Sequence, residues 1–264
     1  MGNFLALVQN ENMKIYRRLR TWIMLALVVL LPVIFAALIA ISESRFGTSH
    51  TGAWSAASNL SFLYFLVSIF SVVIAADIVA AEFTWGTIKL LLIRPWTRSK
   101  VLLSKLLAVL LFAIGISIIF MIVTVVISQL LFSAEPSAAN MGQSMFGEFS
   151  LMLFYKFVDL LVITAFAFMI STVFRTSGLA IGLSMFLLLA GGLLGAILSP
   201  AKYAWAKYLL FNNMDLSQYA MRKSAGITAT NGMSLGFSAT VLAVYVVIFL
   251  VIAWLVFKRR DVAA

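Results

Sequence analysis

The feature that most constrains this chain is a series of six long apolar runs. They lie at about residues 22–41, 60–81, 106–132, 151–174, 178–198 and 237–257. A helix of about 20 apolar residues is long enough to cross the hydrocarbon core of a bilayer. Hydrophobic residues make up 63% of the 264 residues and charged residues 11%, whereas soluble domains average about 45–50% and about 25%. We therefore predict an all-α integral membrane protein with six transmembrane helices, forming a single membrane domain over residues 1–264.

The Lys and Arg residues indicate which helix ends face the cytoplasm. If the N-terminus lies inside, 13 of the 19 Lys and Arg residues fall in the inner segments 1–21, 82–105, 175–177 and 258–264. This bias follows the positive-inside rule. It predicts a multi-pass protein of a bacterial cell membrane with both termini in the cytoplasm. The formal net charge of +10 is then explained by topology, without nucleic acid as a partner.

A mixed apolar and basic segment, residues 3–20, precedes the first apolar run. Its apolar and basic positions fall on opposite faces at helical spacing, which is typical of an interfacial helix on an anionic leaflet. In that interpretation Lys14, Arg17, Arg18 and Arg20 anchor the helix at the inner interface of the bilayer. The alternative is a solvated tail beside the membrane.

Chemical motifs of the common enzyme classes are missing from the sequence. It contains no Cys, and its one His, His50, lies in a predicted outer loop without neighbouring acidic residues. It also lacks the Gly-x-x-x-x-Gly-Lys-[Ser/Thr] loop that cradles nucleotide phosphates, and the His-Glu-x-x-His and Gly-x-Ser-x-Gly motifs of hydrolases. We predict no catalytic residue, no metal site and no cofactor bound by this chain.

The most informative segment is the inner loop that follows the second run. Glu82 leaves the membrane helix, Gly86-Thr87 follows, and a short apolar stretch ends at Arg94-Pro95. This pattern predicts a short helix along the inner surface, because the residue before a proline avoids the α-helical region. The alternative is an ordinary positively charged loop.

This loop resembles the signature of type 2 ABC exporter permeases, which include exporters of drugs, antibiotics, peptides and polysaccharides. In that family a Glu ends the second span, Gly-Thr follows, then a Pro and an Arg, and a Lys enters the third span. The positions that match are Glu82, Gly86, Thr87, Pro95, Arg98 and Lys105. Trp96 departs from the family, which usually has a smaller residue there. The family layout also agrees, with an N-terminal interfacial helix, six spans and short outer re-entrant helices between spans 5 and 6.

The resemblance implies that the segment after span 2 is a coupling helix that inserts into a separate cytosolic ATP-binding subunit. The chain is then a transport subunit, not an enzyme, and ATP and Mg bind to the partner. A second permease subunit, identical or paralogous, completes the exporter, whose cargo we expect to be hydrophobic or amphipathic, such as antimicrobial peptides, drugs or lipids. The residues implied in ATPase coupling are Glu82, Gly86, Thr87, Ile88, Leu91, Arg94, Pro95 and Arg98.

Other roles remain open at the level of the sequence. The whole chain could be a non-transporting membrane anchor or sensor that docks a cytosolic partner through the same basic loop. Glu82 could pair with a basic group of the partner or within this chain. Asp77, the one ionisable residue well inside an apolar run, could line the translocation path or pair with an inner Arg.

Two further patterns concern the fourth and fifth runs. Lys156 and Asp159 are three residues apart, which predicts a local ion pair near the outer surface. Two Gly-x-x-x-Gly motifs, at residues 178–182 and 191–195, lie on the fifth run. Such motifs allow close helix packing, either within the bundle or across a dimer interface.

Overall fold

The computed structural model describes residues 4–46, 51–87, 96–133, 145–200, 202–219 and 233–259. All regular secondary structure in these ranges is helical. In chain order the helices are α1 (Phe4–Tyr16), α2 (Leu19–Phe46), α3 (Ala53–Leu60), α4 (Tyr64–Thr84), α5 (Arg98–Leu131), α6 (Met145–Val173), α7 (Ser177–Ile197), α8 (Leu210–Asn213) and α9 (Leu235–Arg259).

Six helical stretches in the described part of the chain are long and apolar enough to cross a membrane. They are Leu19–Arg45, Ala53–Thr84, Arg98–Leu131, Met145–Val173, Ser177–Ile197 and Leu235–Arg259. The second stretch combines α3 and α4 through a 3₁₀ turn at Ser61–Leu63. The predicted all-α class and the six spans are confirmed.

Several helices extend beyond the apolar runs that predict them. The polar and small residues at 42–58 predict an outer loop around His50. These bounds are wrong at both ends, because α2 continues to Phe46 and α3 begins at Ala53. Similarly, α5 begins at Arg98 and α6 at Met145, each several residues before its apolar run. Hydropathy reports where side chains are apolar, whereas a helix continues through polar residues as long as its backbone bonds are made.

The third span begins with a side-chain cap. From the sequence, Thr97 or Ser99 is the expected N-cap, since a hydroxyl there accepts a hydrogen bond from an orphan backbone N–H. The structure confirms Thr97, whose extended backbone precedes α5 and whose hydroxyl accepts the N–H of Lys100 at 3.4 Å.

Helix α4 is the centre of the bundle. It packs against α5, α6 and α7, and 67% of its most apolar stretch is buried inside the protein. Its small residues Ala75, Ala76 and Ala80 are fully buried, so neighbouring backbones approach closely. Between α4 and α6, the hydroxyl of Ser171 accepts the backbone N–H groups of Val79 and Ala80 at 3.1 and 3.0 Å.

Helix α7 is the most peripheral span, with 11% of its apolar stretch buried. Its two glycine motifs have different surroundings. A Cβ at Gly191 or Gly195 would lie 3.2 Å from Phe211 or Asn212, whereas one at Gly178 or Gly182 would meet no atom of the described residues within 4 Å. The motif at residues 191–195 therefore packs within the bundle, against the short elements that follow α7.

Those short elements are a 3₁₀ turn at Ala204–Tyr208 and the one-turn helix α8. They occupy the place where the sequence predicts short outer helices between spans 5 and 6. Helix α8 lies against α7 and α9.

We expect Ser171→Ala to lower the stability of the bundle by about 1 kcal/mol, because it removes the acceptor between α4 and α6. Ser104→Ala is the matched control. Ser104 is equally buried, but its hydroxyl donates within its own helix to the carbonyl of Val101. Thermal unfolding in detergent measures both variants, and an equal loss in the two would contradict a stabilising role for the interhelical contact.

Candidate functional site

Four charged side chains meet where α1, α4 and α5 converge. The Lys and Arg bias predicts that this end of the bundle faces the cytoplasm, and we call it the inner end and the opposite end the outer end. Lys14 Nζ lies 2.8 Å from Glu11 and 2.9 Å from Glu82. Lys105 Nζ lies 2.7 Å from Glu11 and 3.1 Å from Glu82. Two lysines therefore alternate with two carboxylates, and we call Glu11, Lys14, Glu82 and Lys105 the inner ionic cluster.

Lys105 is the most deeply buried member, with 0% of the residue exposed. Its ammonium also donates to the backbone carbonyl of Ile78 at 3.2 Å, so its three donors have three acceptors. A buried charge is costly unless it is paired and hydrogen-bonded. The pairing with Glu11 and Glu82 is what allows a lysine to occupy this position.

Glu11 is the member that sequence reasoning missed. The face of α1 turned towards α5 carries Leu7, Val8, Glu11 and Ile15, all of them buried. The spacing places Glu11 in the middle of an apolar stripe, which was the available signal. A carboxylate on the apolar face of an amphipathic helix indicates a buried partner, and that partner is Lys105.

Lys14 lies at the rim of the cluster, outside the membrane-spanning helices. Burial by itself would lower its pKa, but hydrogen bonds and Coulomb attraction from Glu11 and Glu82 outweigh this effect and raise the pKa above its ordinary value. Lys14 is therefore charged at physiological pH. Besides its predicted role as an anchor at the inner interface, Lys14 forms an ion pair with Glu82 at the end of the second span.

The chain leaves α4 through a tight turn that Glu82 stabilises. The hydroxyl of Thr87 donates to the Glu82 carboxylate, and Gly86 adopts φ +67°, a left-handed conformation that favours glycine. The predicted coupling residues Ile88, Leu91, Arg94 and Pro95 lie outside the described residues. The coupling helix itself stays a prediction.

A second group of charges surrounds Asp77, one turn deeper in α4. Its carboxylate pairs with Arg18 and Arg20, which flank the start of α2, and accepts the hydroxyl proton of Ser177 at the start of α7. Arg17, predicted with them as an anchor, is exposed. Asp77 therefore connects the start of α7 to the turn between α1 and α2.

Helix α7 is tied to α4 by a further side chain. The hydroxyl of Thr84 accepts the backbone N–H of Ser177 at 3.1 Å, and its one proton is shared between the carbonyls of Ala80 and Arg175, at 3.0 and 3.3 Å. Thr84 thus supplies from α4 an acceptor for the start of α7, where the N-cap residue Thr176 makes no side-chain cap bond.

The two charged groups line one cavity of about 270 Å³ at the inner end of the bundle. Its walls include Glu11, Lys14, Arg18, Arg20, Asp77, Glu82, Trp85, Thr87 and Lys105. Arg98 lies elsewhere, with its guanidinium donating to the carbonyl of Lys258 at the end of α9 at 3.3 Å. Of the six positions that match the permease signature, Glu82, Thr87 and Lys105 are in or beside the inner ionic cluster.

The chain is similar to proteins whose function is not assigned, one of which is called a membrane protein. Residues 27–263 match the profile of a family described as "Protein of unknown function (DUF2705)". The uncharacterized protein YhcI of Bacillus subtilis (strain 168) is 40% identical over 228 residues, which cover 81% of this chain and 71% of YhcI. The uncharacterized membrane protein YdbK of the same organism is 30% identical over 200 residues, covering 76% and 79%.

Removing one partner of the inner ionic cluster is expected to destabilise the protein strongly. Lys105→Leu leaves Glu11 and Glu82 with fewer counter-charges in a buried site, and we expect a loss of about 3–5 kcal/mol. The double variant Glu11→Leu with Lys105→Leu removes the main pair together and should recover most of that loss. Thermal unfolding in detergent, followed by tryptophan fluorescence, provides the measurement.

Lys100→Leu is the control for this cycle, since Lys100 is exposed on the same helix. We expect its stability to stay within about 0.5 kcal/mol of the parent protein. If the losses from Glu11→Leu and Lys105→Leu simply add in the double variant, the two residues do not form a coupled pair.

Proposed function

This chain belongs to the DUF2705 family, and we propose that it is the membrane subunit of an ABC-type, ATP-driven exporter. The observation that carries the proposal is the position of Glu82. It ends the second span, holds Thr87 of the signature loop, and pairs with Lys14 of α1 and Lys105 of α5. A loop that served only to connect two spans would not require this hydrogen bond and these two ion pairs.

The contacts around Glu82 suit the transmission of force. Displacement of the loop would act on α1 and α5 through the inner ionic cluster. It would also act on α7, because Asp77 and Thr84 of the same helix α4 both bond to Ser177. Helix α4 packs along α6 as well. A movement at one inner loop is thereby delivered to most of the bundle, as coupling to an external motor requires.

The energy for such a cycle would come from another polypeptide. The sequence contains no P-loop motif, so ATP and Mg belong on a cytosolic ABC subunit that receives the segment around residues 87–93. A second permease subunit, identical or paralogous, completes the assembly. Both termini face the cytoplasm in this arrangement, and α1 lies along the inner interface of the cell membrane.

The cargo class follows from the character of the spans. Many large apolar side chains, mostly Leu, Ile, Val and Phe, are exposed along the described spans, and the charged groups described above are paired at the inner end. We propose hydrophobic or amphipathic cargo, such as antimicrobial peptides, drugs or lipids, moving outward from the cytoplasm or inner leaflet.

Co-purification tests the proposal directly. The tagged chain, cross-linked in its native membranes in the presence of ATP and Mg, should bring down a P-loop ATPase in stoichiometric amounts. Capture of a cytosolic partner without a P-loop would instead support the non-transporting anchor or sensor. Recovery of the chain without any nucleotide-dependent partner would overturn the exporter assignment.

Substitutions at Gly86 test the coupling segment. Asn tolerates the left-handed conformation that Gly86 adopts, whereas a β-branched residue does not. Among the described residues no atom lies within 4 Å of a Cβ placed there, so with respect to these residues the two variants differ in backbone strain and not in steric clash. Gly86→Asn should preserve stimulation of the co-purified ATPase, and Gly86→Val should reduce it about tenfold.

Both Gly86 variants must reach the membrane in equal amounts, which immunoblotting of membrane fractions checks. If Gly86→Val stimulates the co-purified ATPase fully, this turn has no role in coupling. Loss of stimulation in both variants would show that the position requires glycine for close approach and not for its φ angle.

A further inference from the structure

The cavity at the inner end of the bundle carries more positive than negative charge. Among the described residues its wall holds four cationic side chains and three carboxylates. The cations are Lys14, Arg18, Arg20 and Lys105, and the carboxylates are Glu11, Asp77 and Glu82. The formal charge of this wall is therefore +1, in a setting of apolar helices where an unbalanced charge is costly.

The sequence offers few carboxylates that could balance this charge. The four predicted inner segments together hold 13 Lys and Arg residues but three acidic residues, Glu11, Glu82 and Asp261. Two of the three already belong to the wall of the cavity. Residues 83–134, which include the loop after α4, contain no Asp or Glu. An anion from another molecule is therefore expected at this end of the bundle.

The two arginines of the cavity still have donors to offer. One nitrogen of Arg18 and one of Arg20 hydrogen-bond to the same carboxylate oxygen of Asp77, whereas a guanidinium has five N–H donors. The Nε of Arg20 is buried, yet it has no hydrogen-bond partner among the described residues. Because buried polar groups are nearly always hydrogen-bonded, this N–H indicates an acceptor that the described residues do not supply.

A phosphate group fits these donors. The planar fork of a guanidinium binds two oxygens of one phosphate, and such charge-assisted hydrogen bonds are among the strongest in proteins. The cavity volume of about 270 Å³ is several times the roughly 30 Å³ that one water molecule occupies in the liquid. It leaves room for a phosphate and the groups attached to it.

The surroundings of the cavity match the place of a phospholipid. Trp85 belongs to the wall and is 77% exposed, and Trp favours the headgroup level of a bilayer. Leu19 lies between the two arginines in the chain and is 75% exposed, and Ile23, one turn further along α2, is 52% exposed. An apolar face that suits acyl chains therefore begins beside the arginines.

We propose that this cavity binds the phosphodiester of an anionic phospholipid of the inner leaflet, such as phosphatidylglycerol, through Arg18 and Arg20. One phosphodiester carries one negative charge, which balances the wall, and basic pockets between membrane helices are known to hold lipid headgroups. The lipid is a resident ligand that joins the turn between α1 and α2 to α4, and it is not cargo. The site does not require the exporter function, and its test needs no ATPase.

Lipid selectivity is the first test. The purified full-length chain in detergent is titrated with phosphatidylglycerol or with phosphatidylcholine of the same acyl chains, and native mass spectrometry counts the bound lipid. Phosphatidylcholine has the same phosphodiester but also a choline cation, so its net charge is zero. Phosphatidylglycerol should bind at least about tenfold more tightly. Equal binding would overturn the site, since the acyl chains alone would then decide.

Glycerophosphoglycerol, the water-soluble headgroup of phosphatidylglycerol, separates a lipid from a free phosphodiester. It lacks acyl chains that could bury apolar surface on α2. It should therefore displace bound phosphatidylglycerol only at a concentration at least about a hundredfold higher. Displacement at equal concentration would show that the cavity takes a soluble phosphodiester, and the assignment to a lipid would be wrong.

Arginine variants locate the lipid. Arg20→Gln removes the cation with the unpaired Nε and should weaken the binding of phosphatidylglycerol about tenfold. Arg175→Gln is the matched control, because Arg175 is exposed and lies outside the wall of the cavity. It loses the same charge, and its effect should stay within about twofold. Equal losses in the two variants would mean that the lipid responds to general surface charge, which overturns the cavity as the site.

A second pair of variants keeps every charge, in case Arg20→Gln does not fold. Lysine lacks the planar fork of arginine, so Arg20→Lys should weaken the binding of phosphatidylglycerol about threefold, whereas Arg175→Lys should not change it. Equal affinities in this pair would overturn the contact between Arg20 and the lipid.

Asp77→Asn tests whether Arg20 binds the lipid or acts only through Asp77. Loss of this carboxylate raises the formal charge of the described wall to +2 and releases donors of both arginines. The affinity for phosphatidylglycerol should then rise about tenfold. If the affinity falls or stays the same, Arg20 serves the ion pair with Asp77, and direct binding of the lipid is overturned.

Discussion

The ammonium of Lys105 is the constraint on which the inner half of this protein depends. It is fully buried, and a lysine in that position is tolerated only because Glu11 and Glu82 reach it from two other helices. This requirement fixes how α1 docks on α5 and where α4 ends. An N-terminal helix that could otherwise lie loosely on the membrane surface is thereby made part of the bundle.

Helix α4 links the inner ionic cluster to the other helices of the bundle. Its inner end holds Glu82, its next turn holds Asp77 beside Arg18 and Arg20, and both Asp77 and Thr84 bond to the start of α7. The small residues along α4 let α5, α6 and α7 pack closely against it. Helix α4 is thus both the centre of the bundle and the helix from which the loop between Glu82 and Lys105 begins.

The two halves of the protein use carboxylates differently. At the inner end, carboxylates balance cations, so that several helices share one network of charges. In the outer half, Asp159 accepts the backbone N–H of Leu216. A shared network of ion pairs holds several helices together, whereas the hydrogen bond of Asp159 joins one transmembrane helix to one short segment.

Apolar run length was sufficient to predict the helical class and six helices apolar enough to cross a membrane, because solvation by lipid acts on each run independently of its neighbours. The loop from Glu82 to Lys105 likewise marked the inner site. Helix ends were predicted less well, since a helix can extend beyond its apolar run. The third and fourth spans do so, because they begin at Arg98 and Met145. Glu11 pairing with Lys105, and Asp159 binding Leu216 instead of Lys156, join residues 94 and 57 positions apart. Only the packing of the helices decides such partners, because nothing local in the sequence specifies which buried charge or N–H comes to face them.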